Sequence, residues 1–253
     1  MKKYKDLIIY LICAFFIPLA ALGAQYLTAN DMIRFVLYGI QAASPTISAV
    51  IVFCINGQLK ERLAKMFRRE HILPALLLPP LTVFAAMFPA KAVYCMIYGV
   101  PFETGDISAS HFIIILWALI AEEIGWRGFL APKLREYGTD RRLIPLITGV
   151  IWCLWHYHFF IQGSIDVPIL LFFAGCVTES YIYGFFMDIT AGNILSAMMY
   201  HFSWNLLLHA AAADPSENGG SIIPYLLIVI NEILILAVFL IQRKKCGRGD
   251  TDS

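Results

Sequence analysis

Eight apolar runs of roughly 18 residues or more dominate this 253-residue chain, at about 7–25, 35–55, 72–90, 110–131, 143–161, 167–187, 191–211 and 222–241. A run of that length matches the ~30 Å hydrocarbon core of a bilayer when it is helical. In lipid, every backbone polar group must also be satisfied within the protein, which helices do. The chain therefore reads as an all-α, polytopic membrane helix bundle with about eight transmembrane helices, sited in the cell membrane. The composition agrees, with 59% of residues in the hydrophobic set and 15% charged. The loops are too short for a separate soluble domain, so residues 1–253 read as a single integral membrane domain. The first run follows Lys2, Lys3 and Lys5, as a signal peptide would, but Leu22-Gly23-Ala24-Gln25 makes a weak cleavage site, and a retained helix is expected.

Charge sidedness checks the spans independently. Basic residues cluster before run one (Lys2, Lys3, Lys5) and after run two (Lys60, Arg62, Lys65, Arg68, Arg69). Further clusters follow run four (Lys133, Arg135, Arg141, Arg142) and run eight (Arg243, Lys244, Lys245, Arg248). If the runs alternate in direction, all four clusters fall on one side, and the positive-inside rule makes both termini cytoplasmic. The opposite loops carry Asp31, Glu103, Asp106, Asp166, Asp214 and Glu217, with Arg34 and Lys91 the basic residues near them. A net charge of +1 offers no case for nucleic acid. The juxtamembrane lysines and arginines suit contact with anionic lipid. Cys13, Cys54, Cys95, Cys153, Cys176 and Cys246 have no ligand spacing, and most read as small buried apolar side chains. Pro18, Pro45, Pro79 and Pro80 are expected to kink their helices.

Ionisable groups inside such runs are costly and need partners. Glu122 and Glu123 lie in run four, His156 and His158 in run five, Glu179 in run six, His201, Asn205 and His209 in run seven, and Asn231 and Glu232 in run eight. Counted from the basic side at 1.5 Å per residue, Glu122 and Glu123 lie at roughly 13 Å, His201 at roughly 15 Å and His156 within about 20 Å. Three helices thus bring a carboxylate and two imidazoles to one level. His209 and Glu232 fit this layer less well and read as structural. Glu123 and Arg127 are i and i+4, in the order that suits an ion pair. Glu122 then points about 100° away, toward a reaction centre. Gly125 leaves room for a neighbouring backbone, and His201 and Asn205 place an imidazole and an amide on one face.

These are the parts for amide hydrolysis by water. Either Glu122 takes the water's proton directly, or Glu122, His156 and His201 hold a zinc ion whose fourth position is that water. Asn205, helped by a histidine, is placed to donate to the oxyanion. The residues themselves do not choose between the two.

The pattern Glu122-Glu123-x-x-x-Arg127, Trp152-x-x-x-His156 and His201-x-x-x-Asn205 resembles the three motifs of the CAAX protease and bacteriocin-processing (CPBP, or Abi) family of intramembrane endopeptidases. The resemblance covers about residues 110–210. It implies that Glu122 and His156 activate water, that His201 and Asn205 stabilise the oxyanion, and that Glu123 and Arg127 support the site. It also implies a substrate class: prenylated C-terminal tails, or small secreted peptides and their leaders, with bacteriocin processing or self-immunity in a bacterial member. Trp152 stands where the family commonly has Phe, and Glu179 stands where small or apolar residues are expected.

Two non-catalytic readings compete: an ion-coupled transporter using Glu122, Glu123, Glu179 and Glu232, and an immunity or scaffold protein built on the same fold. Transport predicts inverted repeats, which this chain lacks. His-Glu-x-x-His is absent, and Ser203, two residues from His201, faces away from it and reads as a packing serine.

Overall fold

The computed structural model describes residues 4–249, with side chains to Arg243; Lys2, Lys3 and the side chains of Lys244, Lys245, Cys246 and Arg248 lie outside the described residues. The described chain is helical, with no strand. In order it forms α1 (Lys5–Leu27), α2 (Asp31–Ala42), α3 (Ser44–Ile55), α4 (Leu59–Met66), α5 (Ile72–Tyr98), α6 (Ala109–Ala121) and α7 (Glu123–Gly125). A π-helical turn (Trp126–Leu130) leads into α8 (Ala131–Glu136), followed by α9 (Leu143–Trp155), α10 (Tyr157–Gln162), α11 (Ile169–Ile189), α12 (Leu195–Ala210) and α13 (Ile223–Gly249).

Among the described residues, five segments are long and apolar enough to cross a membrane: Lys5–Leu27, Ile72–Tyr98, Leu143–Gln162, Ile169–Ile189 and Ile223–Arg243. The pair α2 and α3, bent by 64°, makes a sixth. By length and apolarity, then, the structure supports five or six of the eight expected spans. Of the expected runs, 110–131 and 191–211 fall short, and these carry Glu122, Glu123 and His201. The first fails because α6 stops at Ala121 and Glu122 leaves helical geometry (φ −120°, ψ −41°). The second fails because Ala191 and Gly192 have positive φ (52° and 81°), so that α12 begins only at Leu195 and runs for 16 residues. The kink expected at Pro45 is the sharp one: α2 ends at Ala42, and Pro45 sits in the first turn of α3, where its missing N–H leaves no bond unmade. Pro18, Pro79 and Pro80 lie inside unbroken helices.

Buried polar contacts join helices far apart in sequence. Trp155 Nε1 donates to Ala14 O (3.0 Å) and to Ser44 Oγ (2.9 Å), linking α9 to α1 and α3. Gln41 and Gln25 form a ring with Gln162, closed by Gln25–Gln41 at 2.6 Å and Gln162–Gln25 at 3.1 Å. His158 Nδ1 joins Gln41 at 2.7 Å, which makes His158 structural. Glu232 accepts from Tyr200 Oη and Trp204 Nε1, both at 2.9 Å, tying α13 to α12.

The basic clusters after runs two, four and eight do share one end of the bundle. Arg62, Arg68, Arg135, Arg141 and Arg243 line one open cavity of about 1300 Å³ there. Asp188 pairs with Arg141 (3.3 Å) and with Arg243, and Lys133 pairs with Asp6 (2.9 Å).

The break at Glu122 is held by packing. A Cβ placed on Gly125 would lie 2.5 Å from the Pro45 carbonyl carbon, so the start of α3 rests directly on the backbone of α7. Gly125→Ala forces these backbones apart and is expected to lower stability by about 1–3 kcal/mol. A thermal melt of the detergent-purified protein reads this as a lower midpoint, and an unchanged midpoint would mean the contact is not tight.

Candidate active site

Local backbone geometry sets the acidic pair apart. After α6 ends, Trp126 N–H still bonds Glu122 O at 3.0 Å, but at the next turn Ala131 N–H reaches back five residues to Trp126 O. Such π insertions turn side chains off the regular helical register and recur at functional sites. Here the result is that two adjacent glutamates meet different neighbours.

Glu123 is fully buried and accepts from Arg127 Nη1 at 3.0 and 3.1 Å, the i, i+4 pair its spacing predicts. Arg127 also donates to Ser180 Oγ (3.3 Å) and lies over the rings of Tyr183 (3.6 Å) and Trp152 (4.8 Å). A guanidinium suits such a place because its planar fork pairs with a carboxylate while its faces stack on aromatics. From α12, His201 Nδ1 reaches Glu123 Oε1 at 2.8 Å. An Arg-paired carboxylate only accepts, so Nδ1 is the donor and the ring is held at a fixed angle.

Glu122 Oε2 accepts from two indoles, Trp152 Nε1 at 2.7 Å and Trp126 Nε1 at 3.2 Å. Its other oxygen, Oε1, lies 3.8 Å from His201 Nε2. That gap is too long for a hydrogen bond and short enough for a single bridging water to reach both atoms. His156 lies at the junction of α9 and α10, where its Nδ1 meets Trp152 O at 2.8 Å. A carbonyl only accepts, so Nδ1 carries the proton and Nε2 is left as an acceptor. The His156 ring packs among Trp155, Phe159 and Phe172, with centroids 4.9, 5.9 and 4.8 Å away. Asn205, half-buried one turn beyond His201, has no hydrogen bond from its side chain among the described residues.

Of the residues singled out from sequence, the structure brings Glu122, Glu123, Arg127 and His201 into one contact network and joins His156 to it through Trp152. Glu179 is buried in α11 near Gly175, outside that hydrogen-bonded network. His209 instead pairs with Glu217 at 2.8 Å. Trp126, Ser180 and Tyr183 were not anticipated. Trp126 had a usable signal, since it is i+4 from Glu122, whereas Ser180 and Tyr183 sit on a helix 50 residues away with no motif.

The zinc alternative meets a geometric test. A tetrahedral site needs its donor atoms within about 3.5 Å of one another, given zinc–ligand distances near 2.0–2.2 Å. The donors of Glu122, His156 and His201 do not all fall within 4.8 Å of one another. As arranged, they do not close around one ion. The cavity at the basic end reaches down to Arg127, Thr148 and Ser180, so the Glu123–Arg127 pair lies directly beneath it.

Comparison with known proteins agrees with the motif reading. Residues 104–207 match the family described as "Type II CAAX prenyl endopeptidase Rce1-like". A CAAX prenyl protease 2 from Methanococcus maripaludis is 25% identical over 194 residues, covering 67% of this chain and 69% of the relative.

Removing Arg127 leaves Glu123 as an uncompensated buried charge. Arg127→Met is expected to destabilise the fold by about 3–5 kcal/mol, visible as loss of folded material on size exclusion and a sharply lower melting midpoint. A midpoint near that of the unaltered protein would show that Glu123 does not depend on this partner.

Proposed function

Starting from membership of the CPBP family of intramembrane endopeptidases, we propose that Glu122 activates a water molecule for hydrolysis of a peptide bond in a membrane-attached protein tail. The observation that carries this reading is the 3.8 Å opening between Glu122 Oε1 and His201 Nε2. The far oxygen of the carboxylate is held by two indole donors, and the far nitrogen of the imidazole by Glu123. Both groups therefore present one fixed atom to the same small space, a preorganised arrangement for general-base catalysis.

In the proposed sequence, Glu122 accepts a proton from water as the hydroxide oxygen bonds to the scissile carbonyl carbon. The carbonyl π electrons move onto oxygen, and the oxyanion is met by the Asn205 amide and by His201 in its protonated form. Glu122 then returns the proton to the leaving nitrogen as the C–N bond breaks. His156, with Nε2 as acceptor, orients the attacking water by a hydrogen bond, while the transferred proton goes to Glu122. Glu123 and Arg127 touch no reacting atom in this scheme and act by holding His201. The ordinary general-acid and general-base contribution is about 10²–10⁴-fold.

For substrate, a prenylated C-terminal tail suits both the name of the relative, a CAAX prenyl protease, and the cavity above Arg127. Its wall combines Arg68, fit to receive a terminal carboxylate, with Met66, Phe239 and Leu240, fit to receive a lipid chain.

Purified protein in liposomes, given a farnesylated peptide with a fluorogenic C-terminal tail, is expected to cleave it. Glu122→Ala, His156→Ala and His201→Ala each lose at least about 100-fold in rate, while Glu179→Ala stays within about tenfold of the unaltered protein. Full activity in the three alanine variants would remove the hydrolytic reading, and cleavage of only unprenylated leader peptides would redirect the substrate class. Activity surviving chelation supports direct glutamate catalysis.

A further inference from the structure

At the end of the bundle opposite the basic clusters, three side chains from separate segments converge. His111 lies in the first turn of α6, His209 in the last turn of α12, and Glu217 at the end of a short 3₁₀ turn (Pro215–Glu217). Ligand-capable atoms of all three fall within 4.8 Å of one another, the one such set of three among the described residues. The His111 and His209 rings are 4.2 Å apart at centroids, edge to face, and His209 Nδ1 meets Glu217 Oε1 at 2.8 Å.

A second observation points to a ligand. Glu217 Oε2 is buried and has no hydrogen-bond partner. A buried carboxylate oxygen without a donor is costly to leave so. The His111 ring likewise makes no hydrogen bond among the described residues. These groups are not sealed away: the side chains of His209 and Glu217 keep 20% and 22% of their surface, enough for an ion to enter. Their positions are fixed from behind. Asp214 Oδ1 accepts from Ser216 N at 2.9 Å and caps the turn that carries Glu217. Gly105 N–H bonds Ala210 O at 3.1 Å, and Lys91 Nζ donates to Ala212 O at 3.0 Å, anchoring the end of α12 beside His209.

We propose that His111, His209 and Glu217 form a binding site for a divalent transition-metal ion of the zinc class. Two imidazoles and one carboxylate are a borderline donor set that zinc and its neighbours prefer over magnesium or calcium. The three ligand atoms, already within 4.8 Å of one another, need close only to the ~3.5 Å separations of a tetrahedral site. Binding exchanges the His209–Glu217 hydrogen bond for coordination and supplies the missing partner of Oε2. The site is distinct from the catalytic cluster: His111 stands eleven residues, about 16 Å, before Glu122 along the chain, and His209 eight residues, about 12 Å, after His201. The ion would clamp the outer ends of the two segments whose inner parts carry Glu122 and His201.

The test uses the full-length chain in detergent, stripped with chelator and titrated with Zn²⁺ and separately with Co²⁺. Unaltered protein is expected to take up one ion per chain, to show the cobalt absorption of nitrogen and oxygen ligation, and to melt at a higher temperature with Zn²⁺. His111→Gln and Glu217→Gln should each weaken binding at least tenfold and lose the thermal shift, whereas Glu122→Gln keeps both. Circular dichroism identifies a variant that fails to fold, in which case the other carries the comparison. Failure of the unaltered protein to take up Zn²⁺, binding unchanged in both His111→Gln and Glu217→Gln, or binding lost in Glu122→Gln instead, would each overturn the site. None of these readouts depends on peptide cleavage, so the hydrolytic reading stands or falls separately.

Discussion

A buried carboxylate shared between a guanidinium and an imidazole organises this protein. Glu123 has no exposed surface, and its charge is met by Arg127 from its own segment and by His201 from α12. Isolated charges in such surroundings are costly enough that the contacts must be nearly complete. They are: Arg127 spends its remaining capacity on Ser180 and on the faces of Tyr183 and Trp152, all from α9 and α11. Four segments thus meet at one ionic centre. The orientation of His201, and with it the opening to Glu122, follows from that meeting.

The same centre explains why the chain abandons regular helix where it does. An unbroken helix through Ala121–Leu130 would fix Glu122 and Glu123 100° apart and no more. The irregular backbone at Glu122, the three-residue α7 and the π turn instead let Glu122 reach two indoles while Glu123 faces α12. Pro45 packed on Gly125 supports the break from outside. Local disorder of the helical pattern in the membrane is tolerated only where the protein itself covers it, and Trp126, Phe129 and Leu130 are all buried.

Much of this was legible in the residues. Apolar length located α1, α5, α9 with α10, α11 and α13, because a helix in lipid needs little else. The i, i+4 rule located the Glu123–Arg127 pair. Charge sidedness gathered the clusters containing Arg62, Arg135 and Arg243 at one end, where one cavity joins them. What was not legible depends on tertiary fit. Nothing in Glu122-Glu123-Ile124-Gly125 announces a π turn, since its cause is the set of partners each carboxylate finds across the bundle. The bend at Ala43 had a signal in Pro45, but so did Pro79 and Pro80, whose helix runs on unbroken. The structural role of His158 rests on Gln41, which bonds its ring and is itself held by Gln25 and Gln162, a ring of partners no motif announced. His111 and Glu217, about a hundred residues apart, had no reason to be paired on paper.

The most direct measurement of the central claim is a double-mutant cycle between Glu123 and His201, made with Glu123→Gln, His201→Gln and the double variant and read as unfolding free energy in detergent. A shared, oriented contact predicts a coupling energy of at least about 1 kcal/mol, with the double variant less destabilised than the sum of the two single changes. Additivity within about 0.3–0.5 kcal/mol would contradict the account, because His201 would then owe its position, and the opening toward Glu122, to something other than Glu123.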